Sequence, residues 1–218
     1  MVNLQKNVTS TTLNMPTFNQ IKSILSKSRV GIAGAGGLGS NCAAHLVRCG
    51  IGKLIIADYD VVSVPNLNRQ FYFYHQAGMT KVEALRDNLT MINPDALVQM
   101  HNAKVTKENI ALLFAVCDVV VEAFDDASEK EMFIEGMLEL FPGKPVVAAS
   151  GMAGWGRNRE LDVVRSGNLY VCGDKQSEVS EENPPLSPRV NIVAAMQANL
   201  VLEILLNGVL QEYEDFIK

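Results

Sequence analysis

Arg29 to Ala33 (RVGIA) runs directly into Gly34-Ala35-Gly36-Gly37-Leu38-Gly39, and Ser40 to Cys49 then has helical character up to Gly50. Few folds accommodate glycines at G-x-G-x-x-G spacing between a β-branched strand and a helix. The glycines turn the chain tightly and let its backbone approach a phosphate. The phosphate charge then sits at the positive end of the helix. Downstream, strand and helix patterns alternate. Strands are expected at Lys53–Ala57, Ala96–Met100, Asp118–Phe124 and Pro145–Ala149. Helices are expected at Thr80–Ile92, Lys107–Ala115 and Ala127–Leu140. Thr80 and Glu83 have capping-box spacing, and Pro142-Gly143 ends the helix before it. The runs VVVEAF and PVVAAS are apolar without alternation, as in strands covered on both faces. The expected fold class is α/β: a doubly wound, Rossmann-like, mostly parallel sheet flanked by helices.

Residues 1–28 read as a polar N-terminal helical arm with one weak helical patch, Phe18–Leu25. Residues 29–150 read as the phosphate-binding domain and 151–218 as a C-terminal extension, all within one compact domain. The extension holds a possible β-ribbon (Leu161–Val164 with Asn168–Val171). A 17-residue acidic loop, Cys172–Pro188, follows, and then a closing helix, Pro188–Leu206. A loop of that length is usually functional or disordered. It could cross over a bound substrate, or merely connect.

Composition closes off other classes. A net charge of −5 argues against nucleic acid or an anionic membrane as the main partner. The apolar stretch Val190–Leu210 carries Asn191, Gln197, Asn199 and Glu203, which suits a buried helix better than a membrane span. Met1–Thr12 has no apolar core, so no signal peptide is expected. The four cysteines, Cys42, Cys49, Cys117 and Cys172, form no CxxC. That spacing excludes a zinc ribbon and fits a reducing, cytoplasmic setting.

The glycine loop suits NAD, FAD and ATP alike. Asp58, 19 residues after Gly39, stands where an acid takes a ribose hydroxyl, or is an ordinary strand-end turn residue. Arg69, in Asn66-Leu67-Asn68-Arg69-Gln70, is a fork donor suited to phosphate. Lys81 opens a helix whose dipole it opposes, at a cost of about 0.3–1 kcal/mol. An anion there would explain it, as would a solvated surface position. Two cations beyond the glycine loop tilt the reading towards a triphosphate. Asp125 and Asp126 end the fourth strand, beside the first in 3-2-1-4 order, where ligands bind. Asp125 is the candidate Mg²⁺ ligand. Asp126 is either a site residue or the N-cap of the next helix. His45, His75 and His101 form no convincing triad.

The segments GAGGLGSN (34–41), DYDVVSVPNLNRQ (58–70), GMTKVEALRDNLTMINP (78–94) and VVVEAFDDASEK (119–130) together resemble the ubiquitin-activating-enzyme-like superfamily, in particular its ThiF/MoeB/HesA branch. YVCGDKQSE (170–178) and SPRVNIVAAMQANLVLEILL (187–206) resemble a short, zinc-free ThiF group of thiamine biosynthesis. The resemblance implies ATP-dependent adenylation of the C-terminal glycine of a small β-grasp sulfur carrier ending in Gly-Gly, such as ThiS, by a homodimer. It implies that Gly37 and Asp58 contact ATP, that Asn66, Asn68, Arg69 and Lys81 hold its phosphates, and that Asp125 binds Mg²⁺, with Gln70 in the motif but without a role. Some relatives carry a later thiol acceptor, for which Cys172 is the candidate, although it could equally be a buried structural thiol. The sequence departs from the family pattern in two places. No arginine precedes Arg29, so either Lys6 or Lys22 substitutes for one or the role is lost, and Pro65 stands where serine is common. The alternatives are activation of another ubiquitin-like carrier (molybdopterin or other sulfur transfer), a non-catalytic scaffold, and an NAD or FAD oxidoreductase.

Overall fold

A computed structural model describes the backbone of residues 16–217 and the side chains of residues 16–207. The first fifteen residues of the expected arm, Lys6 among them, lie outside the described residues. The elements in order are α1 (Phe18–Leu25), β1 (Arg29–Ala33), α2 (Gly37–Arg48), β2 (Lys53–Asp58), α3 (Lys81–Ile92), β3 (Leu97–Asn102), α4 (Ile110–Phe114), β4 (Val119–Glu122), α5 (Ala127–Leu140), β5 (Val146–Ala149), β6 (Asp162–Ser166), β7 (Leu169–Gly173) and α6 (Ser187–Ile217).

One sheet runs β3-β2-β1-β4-β5-β7-β6. Every pairing is parallel except the antiparallel hairpin β6–β7. The expected ribbon is thus no separate appendage. β7 aligns Val171 with Ala148 of β5, and the ribbon extends the main sheet.

Successive strand side chains point to opposite faces, and both faces are filled. Val30, Ile32, Leu54 and Ile56 pack with Leu46 of α2, Leu85 of α3 and Val193 and Val201 of α6. Ala33, Ile55 and Val120 pack with Phe114 of α4 and Phe133 of α5. The latter two rings meet edge to face with centroids 5.5 Å apart. This double covering explains the absence of alternation in β4 and β5.

α6 settles the status of the apolar tail. Ser187–Asn207 is long and apolar enough, at mean hydropathy 1.5, to cross a membrane by composition. Here Val190, Val193, Ala194, Gln197, Ala198 and Val201 form a stripe of helical period buried in the core. Gln197 Nε2 donates to the carbonyls of Glu122 (3.0 Å) and Val147 (3.3 Å), tying α6 to β4 and β5.

Candidate nucleotide-binding site

The carboxyl ends of β1, β2, β4 and β5 open into a cleft of about 740 Å³. It lies where the winding of the sheet reverses, between β1 and β4, the usual ligand position in such folds. Gly34, Gly36, Gly37 and Leu38 line it. Gly36 is the N-cap of α2 and supplies no side-chain cap, and the first turn contains no acid. The amides and the positive helix end therefore remain available to an anion. Gly39 does not belong with the ligand-facing glycines. A Cβ there would stand 1.9 Å from the Gly34 carbonyl oxygen, so Gly39 serves close loop–helix packing and lines no part of the cleft.

Asp58 ends β2 and lines the cleft. Its Oδ2 accepts the Ala35 N–H at 2.6 Å and its Oδ1 the Asp60 N–H at 2.8 Å. Burial pushes the carboxyl above its ordinary range. Lys81 and the two amides pull it down without cancelling that effect. Lys81 Nζ is 2.6 Å from Asp60 and 3.9 Å from Asp58, and its backbone N–H donates to the Asp60 carbonyl at 2.9 Å. The cation that opposes the α3 dipole is therefore neither bare nor on the solvated surface. It is buried in the cleft wall, and the anion it meets here is a pair of carboxylates.

Arg69 also lines the cleft, and its stem passes over Gly37. Asn41 Nδ2 fixes that approach by donating to the carbonyls of Gly37 (2.7 Å) and Arg69 (2.8 Å). Two expected phosphate ligands are not brought in. Asn66 accepts a bond from the Ser63 hydroxyl, Asn68 accepts one from Arg69 Nη1 at 2.9 Å, and neither lines the cleft. Both carboxamides serve the short 3₁₀ turn Val64–Asn68 that carries Arg69.

At the β4 end, Asp125 lines the cleft, is exposed, and has no hydrogen-bond or ion-pair partner among the described residues. Asp126 also lines the cleft and is exposed. Its Oδ1 accepts the N–H groups of Ser128 and Glu129, each at 2.9 Å, which makes it the N-cap of α5. Two lining residues had no role at the sequence level. Lys130 Nζ is 2.5 Å from Glu122 and donates to the Ala149 carbonyl at 2.9 Å. Burial pushes Glu122 upward and the Lys130 ammonium opposes that. The sequence signal was a carboxylate within an apolar strand, which needs a partner. Gln70 is the second: it is buried, and its Oε1 has no partner. Its only signal was its place in the Asn-Arg-Gln run.

Cys172 is not presented as an acceptor. It is fully buried on β7, and burial pushes its thiol up to about 12. The thiolate, which is the nucleophile, is scarcely populated there. Ser150, Gly151 and Met152 after β5, and Glu178, Val179 and Pro185 of the long loop, also line the cleft.

The family model described as the ThiF family matches residues 13–217. This chain belongs to the ThiF family. Among curated proteins it is 49% identical over 92 residues to ubiquitin-like modifier-activating enzyme 5 of Caenorhabditis elegans, covering 42% of this chain and 22% of that protein. It is 52% identical over 77 residues to the Rattus norvegicus enzyme of that name, covering 35% of this chain and 19% of that protein. The matches thus span about a fifth of those relatives. Among solved structures it resembles E. coli tRNA N6-threonylcarbamoyladenosine dehydratase, TcdA, crystallised with AMP. That likeness has a TM-score of 0.78 and 20% identity, and it covers 87% of this chain and 90% of that one. The ATP complex of TcdA gives a TM-score of 0.76 at 21% identity, over 88% and 90%. These likenesses establish the fold.

In this ThiF-family cleft, carboxylates outnumber cations. Asp58, Asp60, Asp125, Asp126, Glu129 and Glu178 face Arg69, Lys81 and Lys130. A polyphosphate alone would meet repulsion at the Asp125 end. The unpaired oxygen donors of Asp125 suit Mg²⁺, which binds through one or two carboxylates plus phosphate and keeps several waters. No group of three or more His, Cys, Asp or Glu side chains that could hold a metal by protein ligands alone occurs among the described residues.

Proposed function

We propose that this chain adenylates the C-terminal carboxylate of a small β-grasp carrier protein ending in Gly-Gly, using ATP and releasing pyrophosphate. The observation that carries this is the convergence of glycine-loop amides, Arg69, Lys81 and Asp125 on one cleft, which Ser150, Gly151 and Met152 and the long-loop residues Glu178, Val179 and Pro185 also line. The glycine loop, the two cations and Asp125 suit a nucleotide, and the wall of loop residues suits an extended tail beside it. Membership of the ThiF family and the names of the curated relatives support the same chemistry.

In the reaction, a carrier carboxylate oxygen bonds to the α-phosphorus while the bond to the bridging oxygen of pyrophosphate breaks. The carboxylate is already ionised at neutral pH, so no general base is required. The α2 amides, Arg69 and Lys81 bind the phosphates and offset charge as it moves to the leaving group. Lys81 makes these contacts by exchanging Asp60 and Asp58 for phosphate oxygens. Asp58 receives the ribose, and Asp125 would hold Mg²⁺, which supplies further charge neutralisation at the phosphates. Gln70 and Lys130 complete the polar lining.

At the finer level, we propose a ThiS-like sulfur carrier in thiamine thiazole formation, a homodimeric enzyme, and a cytoplasmic setting in which its free thiols stay reduced. The test incubates the protein with Mg·ATP and purified carriers ending in Gly-Gly, followed by mass spectrometry of each carrier and exchange of labelled pyrophosphate into ATP. One carrier gains AMP and supports exchange. AMP on no carrier, with no carrier-dependent exchange, would sink the proposal.

A further inference from the structure

Three residues beyond Met152 in the cleft wall, the chain turns outward at Trp155, whose side chain is 69% exposed. The backbone on either side of it is fixed. The Gly154 N–H donates to the Pro184 carbonyl at 2.9 Å, and Gly154 bridges to Pro185, itself a cleft-wall residue. The Gly156 carbonyl accepts from Nη1 of Arg189, whose Nη2 lies 2.5 Å from Asp174; this ion pair is 2% and 4% exposed. Gly154, Gly156 and Arg157 all take left-handed backbone, with φ of 76°, 65° and 49°. A Cβ on Gly154 would meet Asn183 Oδ1 at 2.3 Å. Arginine rarely adopts that backbone region. Three left-handed residues and a buried ion pair therefore hold one large aromatic side chain in solvent.

A rigidly mounted, exposed tryptophan has the anatomy of an interface hot spot. Its surroundings specify the partner. Arg159 is exposed beside it with no ion-pair partner among the described residues, while Arg157 Nε lies 3.7 Å from the exposed Glu160. Continuity of this loop with the cleft wall places the partner directly behind whatever enters the cleft. We propose that Trp155 is the anchor on which the folded body of the carrier docks, through an apolar patch rimmed by carboxylates, while its tail occupies the cleft. This inference rests on the adenylation reading for the identity of the partner.

Trp155 is the single tryptophan of the chain, so its emission reports docking directly. The probe is a tryptophan-free β-grasp carrier ending in Gly-Gly, used intact and with those two glycines removed. Both forms shift the emission. By calorimetry, which needs no tryptophan, Trp155→Ala raises the Kd of both about 10–100-fold and leaves the Kd for Mg·ATP within about twofold. Arg159→Glu weakens binding and flattens its salt dependence. An adenylated carrier that leaves the emission unchanged and binds Trp155→Ala as tightly as wild type overturns the inference. So does an emission shift that follows protein concentration alone, with Trp155→Ala altering the mass in solution, because a second copy then covers the patch. A truncated carrier that shifts the emission while no intact carrier is adenylated upholds docking and removes the adenylation reading instead.

Discussion

Arg189 and Asp174 offer the sharpest energetic test. Each is almost wholly buried, and they are joined at 2.5 Å. Asp174 Oδ1 also accepts the N–H groups of Gln176 (2.9 Å) and Ser177 (2.8 Å). Arg189 Nε has no partner, so the pair is already incompletely satisfied. Arg189→Met leaves a buried carboxylate supported only by neutral donors. Breaking a buried pair in this way costs about 3–5 kcal/mol, which in a domain of this size lowers Tm by about 6–20 °C. Because Asp174 keeps its amide partners, the lower half of that range is expected. The double variant Arg189→Met/Asp174→Asn removes both charges and should cost at least about 1 kcal/mol less than the two single costs together. The pH dependence follows from the carboxyl. Burial pushes Asp174 up, but the Ser177 and Gln176 amides, the Ser177 hydroxyl and Arg189 outweigh it and hold the group well below the usual carboxylate range. A depressed folded-state pKa contributes stability that is fully present above the unfolded value, about 3.9. That contribution is lost as pH falls through the folded value. Wild type therefore loses stability on acidification below about pH 4 more steeply than the double variant. The assay is urea and thermal unfolding at pH 7 and across that acid range. A loss under about 1 kcal/mol for Arg189→Met, or strictly additive single costs, would refute the assignment of the pair as an organising element.

The remaining predictions concern the cleft. Lys81→Ala and Asp125→Ala should each reduce carrier-dependent pyrophosphate exchange at least about 100-fold while far-UV circular dichroism stays unchanged. Asp126→Ala removes only the α5 cap, so it should cost about 1 kcal/mol in urea unfolding and leave exchange within about threefold. Gly39→Ala places a methyl 1.9 Å from a backbone oxygen. It should abolish ATP binding in calorimetry and lower Tm, since the loop itself must move. Iodoacetamide at pH 8 should label the exposed Cys49 before the buried Cys42, Cys117 and Cys172, and Cys172→Ala should retain adenylation. Rapid labelling of Cys172 in the folded protein would contradict its burial.

The strands around the cleft were legible because each carries a local signature: β-branched runs, the glycine turn, and Thr80 and Asp126 at the starts of α3 and α5. Asp58, Lys81 and Asp125 were legible as candidates because each stands at a strand or helix end, and Arg69 because it is a fork donor suited to phosphate. Lys130 and Gln70 were not, since Lys130 is placed by its partners Glu122 and the Ala149 carbonyl and Gln70 by its burial in the cleft wall. Asn66 and Asn68 misled for the complementary reason: a polar side chain beside a phosphate candidate can equally bond its own turn, as both do here.

By itself, the order of short-range patterns determined an α/β sheet with its ligand end at Gly34–Gly39, because tight turns, caps and apolar periods are properties of neighbouring residues. The tertiary structure alone decided which charges are paired, that β7 joins β5, that Cys172 is sealed, and that Trp155 is held outward. Those outcomes depend on burial and on charged partners 8 to 21 residues apart, and desolvation, which sets the energy of a charge, has no value until the chain has closed around it.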